Sequence, residues 1–206
     1  MFNEILATVF QVLVVVLIPF LFYVVKYKTT SGFFSYIGLK ATSSRAVVLS
    51  CFAMVAVLAC TIGLVLLNRD IKEALTSQYA VAGKLKQMGL QPVSIILLLI
   101  ITLFRTSLAE EIFMRGFVAK RLISRLGFQW GNLLQALLFG LLHLIMMFML
   151  SRLSAFSLSY SFIVPAVAGY IICYINERVG KGSIIPGWIA HGAGNVVAYY
   201  LLAFVL

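Results

Sequence analysis

The stretch PVSIILLLIITLFRTSLAEEIFMR, residues 92–115, decides how this chain folds. Its first part, Val93–Phe104, carries no charge but is too short to cross roughly 30 Å of hydrocarbon. The helix must therefore continue into the segment that contains Glu110, Glu111 and Arg115. Charged side chains inside an apolar span are costly and usually face the protein interior. The stretch therefore predicts a membrane helix with a polar inner face.

The composition of the whole chain also predicts an integral membrane protein. Of its 206 residues, 63% are hydrophobic and 11% are charged, and the mean hydropathy is +1.08. A soluble domain has nearly half apolar residues and about a quarter charged ones. The high apolar content excludes a disordered chain, and three cysteines are too few for a disulfide scaffold.

Further apolar runs predict the rest of a helical bundle. They cover residues 5–25, 46–67, 133–150, 160–175 and 184–206, and the helix from Pro92 stops near Gly127. We expect an all-α integral membrane protein, a bundle of about six transmembrane helices with a buried polar site. Residues 1–91 would form an N-terminal transmembrane hairpin with a polar loop over 68–91, and residues 92–206 the core that carries the site.

The basic residues are interpreted as determinants of topology rather than of nucleic-acid binding. The net charge is +10, but the basic residues lie between apolar runs instead of on one face. If all six segments cross, ten basic residues fall on one side and five on the other. The positive-inside rule places the ten in the cytoplasm and both termini outside. We expect a multi-pass protein of the lipid bilayer, in a bacterial plasma membrane because the chain is short and its loops are compact.

The first polar cluster is Glu110-Glu111-x-x-x-Arg115. Glu111 and Arg115 are four residues apart with the acid first, which is the favoured order for an ion pair along a helix. Glu110 lies about 100° around the helix from Glu111, so it lacks Arg115 as a partner. A carboxyl group in an apolar setting beside a second one suits a general base. The alternative is an interfacial helix with an ordinary salt bridge.

The second polar cluster is Phe139-Gly-Leu-Leu-His143 in the fourth apolar run. Phe139 and His143 are four residues apart and therefore share one helix face. A lone histidine on an apolar helix is more often a packed core residue than a functional one. The cluster by itself therefore leaves both interpretations open.

The third polar cluster is His191-Gly-Ala-Gly-Asn195 in the last apolar run. His191 and Asn195 are four residues apart and project the same way. Gly192 and Gly194 each cost a helix roughly 1 kcal/mol relative to alanine, so their presence needs a reason. They allow a backbone or a substrate to approach closely, or they form a small-residue packing face together with Ala190.

The three clusters together point to hydrolytic chemistry. The chain has two histidines, and both lie in apolar runs. Two histidines, two glutamates, an arginine and an asparagine are an expensive set to bury for packing alone. The set contains what amide hydrolysis needs: a carboxylate to deprotonate water, imidazoles to hold a water or a metal, and donors for an oxyanion.

At these residues the sequence resembles the CPBP family, the CAAX prenyl endopeptidase and bacteriocin-processing type of intramembrane protease. The family pattern is Glu-Glu-x-x-x-Arg, then Phe-x-x-x-His, then His-x-x-x-Asn on successive helices. All three motifs occur here in that order, within residues 92–206. The resemblance makes residues 92–206 a catalytic helical core, with catalytic residues Glu110, Glu111, Arg115, His143, His191 and Asn195.

The resemblance implies an endopeptidase that hydrolyses a peptide bond within the membrane. Glu110 would activate the attacking water together with His143, and His191 and Asn195 would stabilise the oxyanion. The remaining two motif residues would orient the site, Glu111 and Arg115. The substrate would be a membrane-associated peptide or protein such as a prenylated CAAX tail, a bacteriocin or a signalling peptide.

The resemblance is compatible with a metal-dependent and with a glutamate-dependent mechanism. In the first, His191 would help hold a metal. His143, His191 and Glu110 would supply three ligands and leave a position for water, which is the composition of a catalytic zinc site. No His-Glu-x-x-His motif occurs in the sequence, which excludes the arrangement of soluble zinc proteases.

Other classes of membrane protein fit the sequence less well. An aspartyl intramembrane protease needs two aspartates in the membrane, and Asp70 in the polar loop is the only one in the sequence. A rhomboid-like protease needs a serine nucleophile in a glycine-rich setting, which the third cluster lacks. The alternative from another class is a non-catalytic bacteriocin-immunity or scaffold protein of the same fold. The presence of all the polar motif residues favours the enzyme.

Overall fold

The computed structural model describes residues 2–150 and 152–206, and every regular element within them is helical. The α-helices are α1 (Phe2–Tyr27), α2 (Phe33–Tyr36), α3 (Ser44–Leu67), α4 (Arg69–Leu75), α5 (Val81–Met88), α6 (Pro92–Ile100), α7 (Lys120–Leu150), α8 (Ala155–Tyr174) and α9 (Ile185–Phe204). The π-helical segments are π1 (Ile101–Leu108) and π2 (Glu111–Ala119), which join α6 to α7, and π3 (Ile175–Val179), which extends α8. The all-α class expected from the sequence is confirmed.

Long apolar helices dominate the bundle. In the described part of the chain, four helical stretches are long and apolar enough to span a membrane: Phe2–Tyr27, Ser44–Leu67, Pro92–Leu150 and Ala155–Val179. The third is 59 residues long and breaks at Gly127, whose φ of 75° and ψ of 168° are not helical. It therefore supplies two segments, and α9 with 20 residues is also about as long as a bilayer is thick. This set agrees with the expectation of about six crossings.

Two segments differ in detail from the sequence expectation. Helix α8 begins at Ala155 rather than near residue 160, because the Ser154 hydroxyl caps it by accepting the Ser157 N–H at 3.2 Å. The polar loop over 68–91 is largely folded into α4 and α5. Its few apolar side chains explain this, since Ile71 and Leu85 are buried in a hydrophobic cluster.

Two clusters of buried apolar side chains lie at opposite ends of the bundle. One joins α5, α6 and α9 through Leu85, Leu98 and Leu202. The other joins α2 to π2 through Phe33 and Ile112. Ile112 directly follows Glu111 in the chain, so the second cluster packs beside the first polar motif.

Helix α1 is attached to π1 by polar contacts. Arg105 Nη1 lies 2.6 Å from Glu4 Oε2, and the Gln11 side-chain amide donates to the Arg105 carbonyl at 3.0 Å. Lys84 on α5 pairs with the same glutamate at 2.9 Å. These contacts give the charged Arg105 partners inside an otherwise apolar span and fix α1 against the segment that leads to the site.

Asp70 connects α4 to the start of α8. Its Oδ2 accepts the Ser154 N–H at 3.1 Å and the Ser157 hydroxyl at 2.7 Å. These two donors hold the pKa of the Asp70 carboxyl below its usual value. The polar segment after α3 thus completes the N-terminal cap of the next membrane helix.

We expect Asp70→Ala to lower the stability of the protein by about 1 kcal/mol, because it removes a helix-capping acceptor. The stabilisation is complete above the ordinary pKa of an aspartate and is lost as the pH falls through the lowered value in the folded protein. Thermal unfolding in detergent at neutral and acidic pH measures both effects. Glu73→Gln is the matched control, since Glu73 forms an exposed pair with Arg69 and should change stability little. Equal effects of the two variants would contradict the capping role.

Candidate active site

The π-helical geometry of the third membrane stretch positions the first motif. Glu110 lies between π1 and π2, and Glu111 begins π2. Segments with π-helical hydrogen bonds are rare and occur frequently at functional sites. The Trp188 indole N–H of α9 donates to the Leu103 carbonyl of π1 at 2.7 Å. Helix α9 is thereby fixed beside the two glutamates.

Glu111 lies at the centre of a fully buried polar cluster. Its Oε1 is 3.4 Å from Arg115 Nη1 and 3.4 Å from His191 Nδ1. Its Oε2 accepts from the Asn176 side-chain amide at 3.4 Å. The side chains of Glu111 and Arg115 are only 1% and 3% exposed. The ion pair predicted from the spacing is therefore present, and burial distinguishes it from an ordinary surface salt bridge.

Asn176 is a member of this cluster that the sequence reasoning missed. It is fully buried in π3, and its Oδ1 accepts the Gly187 N–H of α9 at 3.0 Å. The residue thus links Glu111 to the start of α9. The signal in the sequence was weak: an asparagine at the end of an apolar run, followed by Glu177 and Arg178, resembles a helix end.

Glu110 has fewer polar contacts than Glu111. Its Oε2 lies 3.9 Å from His191 Nε2, is buried, and has no hydrogen-bond partner among the described residues. His191 thus faces both carboxylates, with Nδ1 towards Glu111 and Nε2 towards Glu110. A water or carbonyl oxygen can contact two atoms 3.9 Å apart at normal hydrogen-bond distances of about 2.8 Å. Glu110 is therefore the carboxylate with an unoccupied oxygen, and its side chain is 33% exposed.

Phe139 joins the remaining motif residues. The Arg115 guanidinium lies 4.0 Å above its ring centroid. The His143 ring packs edge-on against it at 4.5 Å, and the His191 ring lies at 6.5 Å. His143 Nδ1 lies 2.9 Å from the Phe139 carbonyl, so Nδ1 must donate and Nε2 is the basic nitrogen of the neutral ring. One buried phenyl ring thus orients both histidines and the arginine.

Asn195 contacts π1 rather than a glutamate. Its amide nitrogen donates to the Thr106 hydroxyl at 3.1 Å and to the Ser107 hydroxyl at 3.2 Å. Thr106 in turn donates to the Thr102 carbonyl at 3.0 Å, which leaves its oxygen free to accept. An oxyanion role for Asn195 would require its N–H groups to change partner when a substrate binds.

The glycines of the third cluster serve helix packing. A methyl group at Gly192 would lie 2.9 Å from Leu103 Cδ2, and one at Gly194 would lie 2.6 Å from Met54 Cγ. Side chains of π1 and α3 therefore fill the space that the sequence could have reserved for a substrate. Of the two interpretations, the small-residue packing face is the one found in the structure.

A cleft of about 180 Å³ opens beside Glu110. Its walls come from α1, from the segment around π2 and from α7, and the lining residues are Gln11, Val15, Ala109, Glu110, Phe113, Met114, Phe139, Leu142, His143 and Met146. Leu142 and Met146 are about half exposed on the apolar outer surface of the bundle. The cleft therefore connects Glu110 and His143 with the region that lipid occupies.

The donors proposed for a metal do not form a ready site. Within residues 2–150 and 152–206, no group of three or more His, Cys, Asp and Glu side chains could hold a metal ion. The set of His143, His191 and Glu110 stays a prediction.

We expect Gly187→Ala to disrupt the buried cluster. The new methyl group would lie 2.6 Å from Glu111 Oε2, 2.7 Å from Ile172 Cγ2 and 2.8 Å from Asn176 Nδ2. Such overpacking costs about 1–3 kcal/mol. The midpoint of thermal unfolding should therefore fall.

Gly63→Ala is the matched control, because no heavy atom of the described structure lies within 4 Å of a methyl group at Gly63 in α3. Alanine there should stabilise the helix by up to about 1 kcal/mol. A rise in stability for both variants would show that Gly187 does not limit the packing around Glu111.

The comparisons with known proteins identify the family of the chain. Residues 92–197 match the sequence model of the family described as type II CAAX prenyl endopeptidase Rce1-like. Comparison with curated proteins and with solved structures found no match. The matched range contains all three motifs and most of the cleft, and it covers just over half of the chain. The chain therefore belongs to the Rce1-like family of type II CAAX prenyl endopeptidases, a family of intramembrane proteases.

Proposed function

We propose that the protein is an intramembrane endopeptidase in which Glu110 activates water to hydrolyse a peptide bond of a membrane-associated chain. The observation that carries the proposal is the placement of Glu110 and His143 in one cleft that opens towards lipid. An open carboxylate beside a basic imidazole nitrogen is suited to general-base chemistry. The apolar walls of the cleft suit a substrate that is held in the membrane, such as a prenylated CAAX tail.

The proposed reaction uses Glu110 twice. Its carboxylate takes a proton from water as the water oxygen attacks the carbonyl carbon of the peptide bond. The protonated Glu110 then gives that proton to the leaving amine nitrogen as the carbon–nitrogen bond breaks. His143 Nε2 accepts a hydrogen bond from the same water and orients it. The products are a free carboxylate and a free amine.

The buried cluster holds the groups around the reacting atoms. Glu111 and Asn176 position His191, whose Nε2 lies near Glu110. We propose that this nitrogen, when protonated, stabilises the oxyanion of the tetrahedral intermediate. Arg115 contributes positive charge next to Phe139 and Glu111. The side-chain N–H groups of Asn195 can donate to the oxyanion only if their hydrogen bonds to Thr106 and Ser107 break.

We expect Glu110→Gln to lower cleavage at least ~100-fold while leaving the unfolding temperature nearly unchanged. The reason is that the Glu110 carboxylate has no close partner to lose among the described residues. Glu111→Gln should lower both activity and stability, since it breaks the contacts to Arg115 and His191. Purified protein in detergent, given a farnesylated CAAX peptide and the same peptide without the lipid, measures the activity.

The opposite pattern would favour the alternative function. If Glu110→Gln and His143→Ala both kept full function in a cellular assay, the protein would act without hydrolysis, as a bacteriocin-immunity or scaffold protein of the same fold. Loss of activity only in parallel with loss of folding would assign the residues to structure.

The glutamate mechanism predicts that cleavage persists after dialysis against a chelator. Metal analysis of the purified protein accompanies the activity measurement. Loss of activity that zinc restores would instead support the ligand set of His143, His191 and Glu110. In that case Glu110→Gln should also lower the bound zinc content, which separates the two mechanisms.

A further inference from the structure

We propose that the bundle carries a binding site for the phosphate group of an anionic phospholipid, formed by Arg121 and Tyr36. These residues lie at the start of α7 and in α2, next to the end of α1. They lie at the end of the bundle where the sequence places most of the basic residues; Arg115, one of the ten counted there, is instead buried in the polar site. The proposal does not depend on proteolysis.

The guanidinium of Arg121 is the central group of this site. It stacks on the Tyr36 ring at 3.8 Å and lies 5.6 Å from the Phe117 ring centroid. Its Nη1 is buried and makes no hydrogen bond within the described part of the chain. A partly buried cation that lacks a hydrogen-bond acceptor is costly, and a planar guanidinium suits two oxygens of a phosphate.

No carboxylate among the described residues forms a direct ion pair with Arg121. All six acidic residues lie in the described ranges, and none forms an ion pair with Arg121. Glu177, the acidic residue at this end, forms an ion pair with Lys120 at 2.5 Å. An anion from outside the protein would therefore complete the electrostatic balance.

The Tyr36 hydroxyl supplies a second donor. It is buried and, like Arg121 Nη1, has no hydrogen-bond partner in the described residues. Its ring is held in place by Tyr23 at 4.6 Å and Tyr27 at 5.7 Å. Because the hydroxyl adjoins the Arg121 guanidinium, one phosphate group can contact both side chains.

The position of the cluster in the bundle favours a lipid as the source of the phosphate. Helix α1 ends at Tyr27, and the Lys26 ammonium lies 5.2 Å from the Tyr27 ring. Tyrosines and basic side chains at the ends of membrane helices lie at headgroup level. Phosphates of anionic lipids are concentrated there and add attraction for each nearby cation. A free phosphate offers the same oxygens but lacks this local concentration.

The test compares the full-length protein in nanodiscs of phosphatidylcholine with and without phosphatidylglycerol. We expect phosphatidylglycerol to raise the unfolding temperature of the wild type and to remain bound in native mass spectrometry. Arg121→Gln should weaken this binding about tenfold or more, and Arg121→Lys less. Tyr36→Phe should weaken it as well, because it removes the hydroxyl but keeps the ring beneath the guanidinium.

Arg125→Gln is the matched control, since Arg125 lies one turn further along α7 and is exposed. It should keep the wild-type response. Equal losses for Arg121→Gln and Arg125→Gln with no effect of Tyr36→Phe would indicate diffuse attraction and overturn the site. Absence of any response in the wild type would do so too. A similar Arg121-dependent shift with inorganic phosphate alone would overturn the assignment to lipid. If Arg121→Gln does not fold, the binding measured for Arg121→Lys and Tyr36→Phe still tests the site.

Discussion

The carboxylate of Glu111 is the group around which the bundle is organised. A buried carboxylate is tolerated only when charge and hydrogen-bond donors surround it, and here Arg115, His191 and Asn176 provide them. These donors come from π2, α9 and π3, so three parts of the bundle must meet before the carboxylate is compensated. Because His191 takes part in this arrangement, its other nitrogen is brought to Glu110.

Two adjacent glutamates consequently have different surroundings. Both carboxylate oxygens of Glu111 contact buried polar side chains, and these contacts tie the helices together. Glu110 lines a cleft, and one of its oxygens has no hydrogen-bond partner among the described residues. A reactive carboxylate has to be free to bind water, and a stabilising one has to be fully paired. Because the two glutamates are consecutive residues, the packing around Glu111 also sets the position of Glu110.

The sequence was sufficient for the local part of this arrangement. The spacing of Glu111 and Arg115 predicts their ion pair, and the order of the three motifs predicts which helices meet. Asn176 could not be predicted, because its link to Glu111 spans 65 residues and depends on tertiary packing. The helical angle between Glu110 and Glu111 correctly predicts that Glu110 lacks the Arg115 partner, but it does not predict that His191 lies near both carboxylates. One imidazole reaches both carboxylates because its two nitrogens point in different directions.

The region matched by the family model covers the polar motif residues but not the whole cleft. The polar motif residues and Asn176 all lie within the matched residues 92–197. One wall of the cleft is formed by Gln11 and Val15 of α1, which lies outside that range and is attached to π1 through Arg105. The surface beside Glu110 is therefore only partly set by the matched region. The substrate that we propose would contact α1 as well as the core, so likeness of the core alone does not define substrate choice.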